Sequence, residues 1–302
     1  MAASKYVRLA RRPVLVLVTV MSVAAGVLAI RPTGTVVLFA TDASITVPDT
    51  AIPDVAPLAC KGVAIIGQSN ANGEGRVSEL TGPDLVYADA YPDVQESVRL
   101  TNASFGLSPP SWTEYSLSSV QPRLFQGVVK FGVDVSMARE LFTTRPEYRW
   151  VIVKAGIGGT TLNDTWDPSN ASPNIFENVH DWVDTQMTAA DCTLSAYIWI
   201  QGENDAMQVS RAAAYGANLS AYLTAVRARY TGIPFIYGQL HVDGSPTYRA
   251  TVRAGQQALS GTGLTLVDQD TGALRADGLH YTTASVLALG TSYATAVSGA
   301  IP

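Results

Sequence analysis

A serine placed directly after a short apolar run is the first residue in this chain with the makings of a nucleophile. Residues 62–66, Gly-Val-Ala-Ile-Ile, have the composition of a buried strand, and they run into Gly67-Gln68-Ser69-Asn70, which presents one hydroxyl at a sheet edge. Taken alone, Ser69 suits the N-cap of a following helix just as well, since serine is a favoured cap. A nucleophilic serine needs a base that works near neutral pH, and the sequence has three histidines, His180, His241 and His280. Asp277 lies three residues before His280, so one turn of helix or loop sets a carboxylate beside that imidazole. Negative charge developing on an attacked carbonyl needs donors, which Ser69 N–H, Gly159 N–H and a side-chain amide of either Asn204 or Gln201 supply. The remaining polar residues of these clusters, Gln68, Asn70, Thr160 and Glu203, are assigned to substrate contact. Glu203 is open to two other roles, support behind the reacting groups or a cap for the next helix.

Groups so far apart in sequence must be gathered by strands. Apolar runs at residues 149–155, 194–200, 234–240 and 264–268 follow the first strand, with helical spacing at 132–142, 211–230 and 249–259 and a terminal helix opening at Asp277 and running to about residue 297. Strand alternating with helix in this way predicts an α/β fold with a central, mainly parallel five-stranded sheet covered on both faces. Such sheets collect functional groups at the carboxyl ends of their strands, where the Gln-Ser-Asn, Gly-Gly-Thr and Gln-Gly-Glu-Asn-Asp clusters fall. The Asp277 to His280 stretch lies in the loop beyond the last strand, on that same rim. His180, in a helical stretch after Phe176, and His241, just past a strand, are taken as packing and structural residues. Residues 75–126 have little periodicity; short strands are expected at 84–88 and 94–100, and the segment suits the wall of a cleft.

Composition narrows the functional classes. The chain has 302 residues, 47% of them hydrophobic, enough for a large core, with 15% charged and a net charge of −5. That balance offers no broad basic field to a phosphate backbone, so nucleic acid is not expected as a partner. Two cysteines, Cys60 and Cys192, and no Cys/His cluster of ligand spacing argue against a metal site. Both cysteines precede strands at the non-catalytic edge of the sheet, where they form either a disulfide or two separate buried thiols. Lys5, Arg8, Arg11 and Arg12 precede 18 uncharged residues, 13–30, which fit a signal-anchor or a signal peptide; either exports the remainder of the chain. The expected division is therefore an export segment at 1–31, an extended linker at 32–59 with Pro48, Pro53 and Pro57, and a catalytic domain at 60–302. The catalytic domain is expected outside the cytoplasm, membrane-anchored or secreted.

Together, Gly67-Gln68-Ser69-Asn70, Gly158-Gly159-Thr160, Trp199-Ile200-Gln201-Gly202-Glu203-Asn204-Asp205 and Asp277-Gly278-Leu279-His280 resemble the four blocks of the SGNH hydrolase superfamily. They are most similar to its sialate O-acetylesterase and plant-type acetylxylan esterase branch, over residues 61–297. The resemblance implies a flavodoxin-like three-layer fold, cofactor-free ester hydrolysis and acetylated sugars, small or polymeric, as substrates. It makes Ser69 the nucleophile, His280 the base and Asp277 its orienting acid. Ala71 departs from the Met usual after GQSN, which bears on the acyl pocket. The same chemistry also serves other acyl esters, thioesters or acetyl transfer to a sugar, and a non-catalytic glycan-binding module is the reading from a different class.

Overall fold

The computed structural model describes residues 58–81, 98–104, 111–114, 123–125, 128–171 and 174–302. The expected export segment, the linker up to residue 57 and the short strand at 84–88 lie outside these residues, and Ala59, the last residue of the expected linker, already opens the first strand. Residues Leu58–Pro302 form a compact unit of their own. In chain order its elements are β1 (Ala59–Gly67), a single helical turn α1 (Ser69–Asn72), β2 (Gly75–Arg76), β3 (Val98–Ser104), β4 (Ser111–Glu114), β5 (Arg123–Phe125), β6 (Val128–Phe131), α2 (Asp134–Thr144), β7 (Tyr148–Gly156) and α3 (Ile175–Ala189). Then come β8 (Thr193–Ile200), α4 (Val209–Arg229), β9 (Phe235–Gly238), α5 (Arg249–Ala258), β10 (Leu264–Val267) and α6 (Thr283–Ala300). Among the described residues no helix is long and apolar enough to cross a membrane.

The five strands expected from the sequence, β1, β7, β8, β9 and β10, lie side by side and parallel. The full sheet is wider, with the order β10-β9-β8-β1-β7-β3-β4. Counting the five alone gives 2-1-3-4-5, the flavodoxin-like order, whose crevice lies where successive connections leave β1 for opposite sides. β3 continues the parallel set beyond β7, and β4 closes that edge antiparallel. A separate three-stranded antiparallel ribbon, β2-β6-β5, draws on the low-periodicity segment.

The central strands are buried almost without interruption and their side chains point alternately to the two faces, as a sheet covered on both sides requires. Val63 and Ile65 of β1, Trp150 and Ile152 of β7, and Ile198 and Ile200 of β8 pack on one face with α2 and α6. Ala64 and Ile66, Val151 and Val153, and Tyr197 and Trp199 face the other way, onto α3, α4 and α5. Helix α3 starts where it does because Asn174 and Glu177 form a reciprocal capping box. Cys60 and Cys192 are joined as a disulfide, Cα atoms 5.0 Å apart, near the amino ends of β1 and β8 and so at the opposite edge of the sheet from the polar clusters.

Candidate active site

The carboxyl ends of the three central strands are stitched together just beyond the ladder. Gln68 N–H donates to the Ile200 carbonyl at 3.0 Å, and Ile157 N–H donates to the Gly67 carbonyl at 3.0 Å. Gly67 has φ +149°, and a β-carbon there would collide with the Ile200 carbonyl, so glycine alone permits β1 to turn this close to β8. Ser69 opens the turn α1, which lasts four residues. The helix that follows the serine is this single turn. Ser69 caps nothing: Gln68 holds the cap position, without a side-chain bond. Ala71, in the same turn, is wholly buried in the core.

The Ser69 hydroxyl instead meets His280, with Oγ and Nε2 3.0 Å apart. His280 Nδ1 is 2.8 Å from Asp277 Oδ2. With Nδ1–H donating to the carboxylate, Nε2 is left as the acceptor facing the hydroxyl. Asp277 does not begin the last helix, as the sequence suggested; it lies in a tight turn closed by the antiparallel pairing of Leu274 with Tyr281, and α6 starts only at Thr283. Its other oxygen, Oδ1, accepts from the backbone N–H of Leu279 at 2.8 Å and of His280 at 3.0 Å. Partial burial pushes the Asp277 carboxyl up, but these N–H groups and the His280 imidazole more than offset it and hold it below its ordinary value. It is thus ionised wherever His280 is needed as a base.

Gly158 and Gly159 are exposed beside the serine, Gly159 with φ +74° in a turn that leaves its outer side open. The two candidate side-chain donors separate clearly. Asn204 Nδ2 sits on this turn, 2.5 Å from the Gly159 carbonyl. Gln201 is buried at 1% exposure, and its Nε2 lies 2.5 Å from Asp205 Oδ2, 3.2 Å from Gln68 Oε1 and 3.3 Å from the Thr160 carbonyl. Gln201 Nε2 is thus committed to buried protein partners.

The four residues assigned to substrate contact are buried and bond to protein partners. Gln68 Oε1 accepts from Gln201 Nε2 and from the backbone N–H of Gly202 and Asn204, two donors that the end of β8 leaves outside the ladder. Thr160 Oγ1 donates to the Ile157 carbonyl and accepts from Trp166 Nε1. Asn70 Nδ2 donates to Glu203 Oε1 at 2.5 Å and to the Leu279 carbonyl at 3.1 Å. Glu203 is 6% exposed and caps no helix. Asp205, to which the sequence assigns no role, is fully buried and receives the backbone N–H groups of Leu162 and Asn163, tying the Gly-Gly-Thr turn to the β8 loop. Its place in the dense polar run after β8 is the one signal that points to it. His241 spends both ring nitrogens on backbone, Nε2 on the Gly272 carbonyl and Nδ1 on Asp243 N–H. Among the described residues no group of three or more His, Cys, Asp or Glu is arranged to hold a metal ion.

The fold and this rim define an α/β protein with a serine, a histidine and an aspartate in hydrogen-bonded sequence at the carboxyl ends of a flavodoxin-like sheet. The chain belongs to the family described as carbohydrate esterase, sialic acid-specific acetylesterase, which it matches over residues 63–299. It is 30% identical over 147 residues to a probable carbohydrate esterase of Arabidopsis thaliana, an alignment covering 48% of this chain and 54% of that one, so the match spans about half the length of this curated relative. The X-ray structure of a protein from Arabidopsis thaliana superposes with a TM-score of 0.63 at 19% identity, covering 82% of this chain and 100% of the other. A carbohydrate acetylesterase from Xanthomonas citri superposes with a TM-score of 0.56, also at 19% identity, over 80% of this chain and 56% of that one. At these identities the two structures establish the fold.

Proposed function

We propose that this chain is a serine esterase that removes O-acetyl groups from carbohydrates through a covalent acyl-enzyme. The observation that carries the reading is the unbroken relay Asp277–His280–Ser69, at 2.8 and 3.0 Å, in a member of a carbohydrate esterase family. Ser69 Oγ attacks the ester carbonyl as His280 Nε2 takes its proton; the imidazolium, steadied by Asp277, then returns that proton to the departing sugar oxygen. Water repeats the sequence on the acetyl-enzyme and releases acetate. The N–H groups of Ser69 and Gly159 and the Asn204 amide are the donors for the oxyanion. A membrane-anchored or secreted location for the unit from residue 60 onward is part of the proposal; the basic-then-apolar start of the sequence and the paired cysteines support it.

The test is acetate release by the purified full chain from an aryl acetate and from a panel of acetylated glycans, including xylan and sialic acids. Ser69→Ala and His280→Ala are each expected to lower kcat by at least about 10³-fold. Wild-type turnover in either variant, or a preference for long acyl chains over acetyl, would overturn the reading.

A further inference from the structure

Asp277 and His280 lie in a turn whose own residues, 275–280, are outside the hydrophobic core. Within it the bonds are local: Arg275 N–H donates to the His280 carbonyl at 2.7 Å, and Gly278 N–H to the Arg275 carbonyl at 2.8 Å. Its place against Ser69, 211 residues earlier, depends on contacts to other segments. Ser245 N–H donates to the Gly278 carbonyl and Asn70 Nδ2 to the Leu279 carbonyl, one neutral bond each. The third contact is of another kind. Arg275 Nη1 and Nη2 donate to Glu79 Oε1 and Oε2 at 2.9 and 2.8 Å, a two-pronged ion pair whose arginine side chain is only 15% exposed. Glu79 ends the short 3-10 turn Val77–Glu79, on the stretch of chain that follows the serine turn. Its Oε2 also accepts from the Thr283 hydroxyl at 2.7 Å, so one carboxylate joins the residues on both sides of the histidine turn, Arg275 before it and Thr283 after. Thr283 Oγ1 in turn accepts from Arg76 N–H at 2.8 Å, and Arg275 Nη2 reaches the Glu74 carbonyl at 3.2 Å. The Arg275 fork, aided by Thr283 and opposed by partial burial, holds the Glu79 carboxyl down at about 2, so the pair stays charged wherever His280 is a base.

We propose that Arg275, gripped by Glu79, is a positioning residue that fixes the Asp277–His280 turn against the segment carrying Ser69, so that His280 Nε2 stays within bonding distance of the serine hydroxyl. Among the described residues the Arg275 side chain bonds to neither Ser69 nor His280, so it acts through the turn and not on the reacting atoms. An ion pair with one partly exposed member adds little to global stability. A base displaced by about 1 Å from its nucleophile, by contrast, loses on the order of 10²-fold in rate. The pair therefore matters for geometry more than for folding.

The inference rests on the esterase reading, and its test has one arm that does not. Arg275→Met keeps most of the aliphatic stem and removes the fork; Glu79→Gln keeps one acceptor and removes the charge. With the full chain and an aryl acetate, each is expected to lower kcat by about tenfold while KM stays within about twofold. The double variant is expected to lose no more than the worse single one, because the two side chains form one clasp. Amide hydrogen exchange in the same variants is expected to rise by about tenfold at Leu279 and His280, whose N–H groups bond Asp277, and to stay unchanged in β1, β7 and β8. Glu79→Gln, the milder change, carries both arms if Arg275→Met does not fold. Wild-type kcat overturns the proposal, as do additive losses, a raised KM at constant kcat, which would make Arg275 a substrate ligand, and exchange that rises throughout the sheet or not at all in the turn. If the wild-type chain hydrolyses no acyl ester, the esterase reading fails while the exchange measurement still decides whether Arg275 fixes the turn.

Discussion

At the scale of single residues, the site separates groups that face outward from groups that brace them, and the two asparagine and glutamine candidates show the difference. Asn204 lies on the open Gly159 turn, whereas Gln201 is enclosed by Gln68, Thr160 and Asp205. Removing a donor that acts on the oxyanion slows the chemical step, while removing an interior brace loosens the fold. Asn204→Ala is therefore expected to lower kcat by about 10²-fold at nearly constant KM, with unfolding unchanged. Gln201→Ala is expected to lower the stability measured by urea unfolding by about 1–3 kcal/mol, because Asp205, Gln68 and the Thr160 carbonyl would each lose a buried donor. Steady-state kinetics and urea titration of both variants check the assignment. Residue types alone could not separate the two, since either amide is a competent donor; burial and direction distinguish them.

At the scale of elements, the disulfide and the catalytic rim occupy opposite ends of the same strands. β1 carries Cys60 near its start and ends at Gly67, and β8 follows Cys192 and runs to Ile200. A link spanning 132 residues restricts the unfolded chain strongly, so Cys192→Ser is expected to cost up to about 5 kcal/mol in the chain-entropy model. Because the crosslink is a full strand length from Ser69, the folded fraction of that variant is expected to keep wild-type kcat. Urea unfolding and aryl acetate turnover, measured on one preparation, test both halves. The strands themselves were legible in advance, because their apolar runs are bounded by glycine and polar clusters. The turns were less so: α1 stops after one turn and α6 starts at Thr283 rather than Asp277, since the Asp277 side chain binds the Leu279 and His280 N–H groups in a local turn instead of a helix.

At the scale of the whole molecule, one buried histidine ties stability to pH. His180 is fully buried on α3, its Nδ1 against the Phe176 carbonyl at 2.6 Å and its Nε2 against the Tyr197 hydroxyl at 3.0 Å, which in turn meets Tyr222 at 2.7 Å. Burial holds its pKa down to about 4, from an ordinary value of 6.5. The unfolded chain then takes up a proton before the folded one does, so this contribution to stability is complete above about pH 6.5 and is lost as the pH falls through 4. The difference corresponds to about 3 kcal/mol. Urea unfolding at pH 7 and pH 4.5 is expected to show a smaller loss in His180→Gln than in the wild type, the paired comparison removing the contributions of other titrating groups.

The amino-acid sequence determined the alternation of strands and helices, the parallel sheet and the rim on which its polar clusters gather, because apolar runs ended by glycine and polar clusters are local properties of the chain. It also singled out Ser69, Asp277 and His280, since they fall in polar blocks placed on one rim of the sheet and those blocks together carry the family resemblance. Only the tertiary structure decided what the neighbouring polar residues do. Gln68, Asn70, Thr160 and Glu203 have the side chains of substrate ligands, but where three strand ends meet, backbone donors and acceptors must be satisfied in the interior, and these four are used there. The wider sheet was legible only in part: a short strand was expected at 94–100, where β3 runs from Val98 to Ser104, but its place beside β7 and the addition of β4 depend on non-local pairing, which leaves little trace in local pattern.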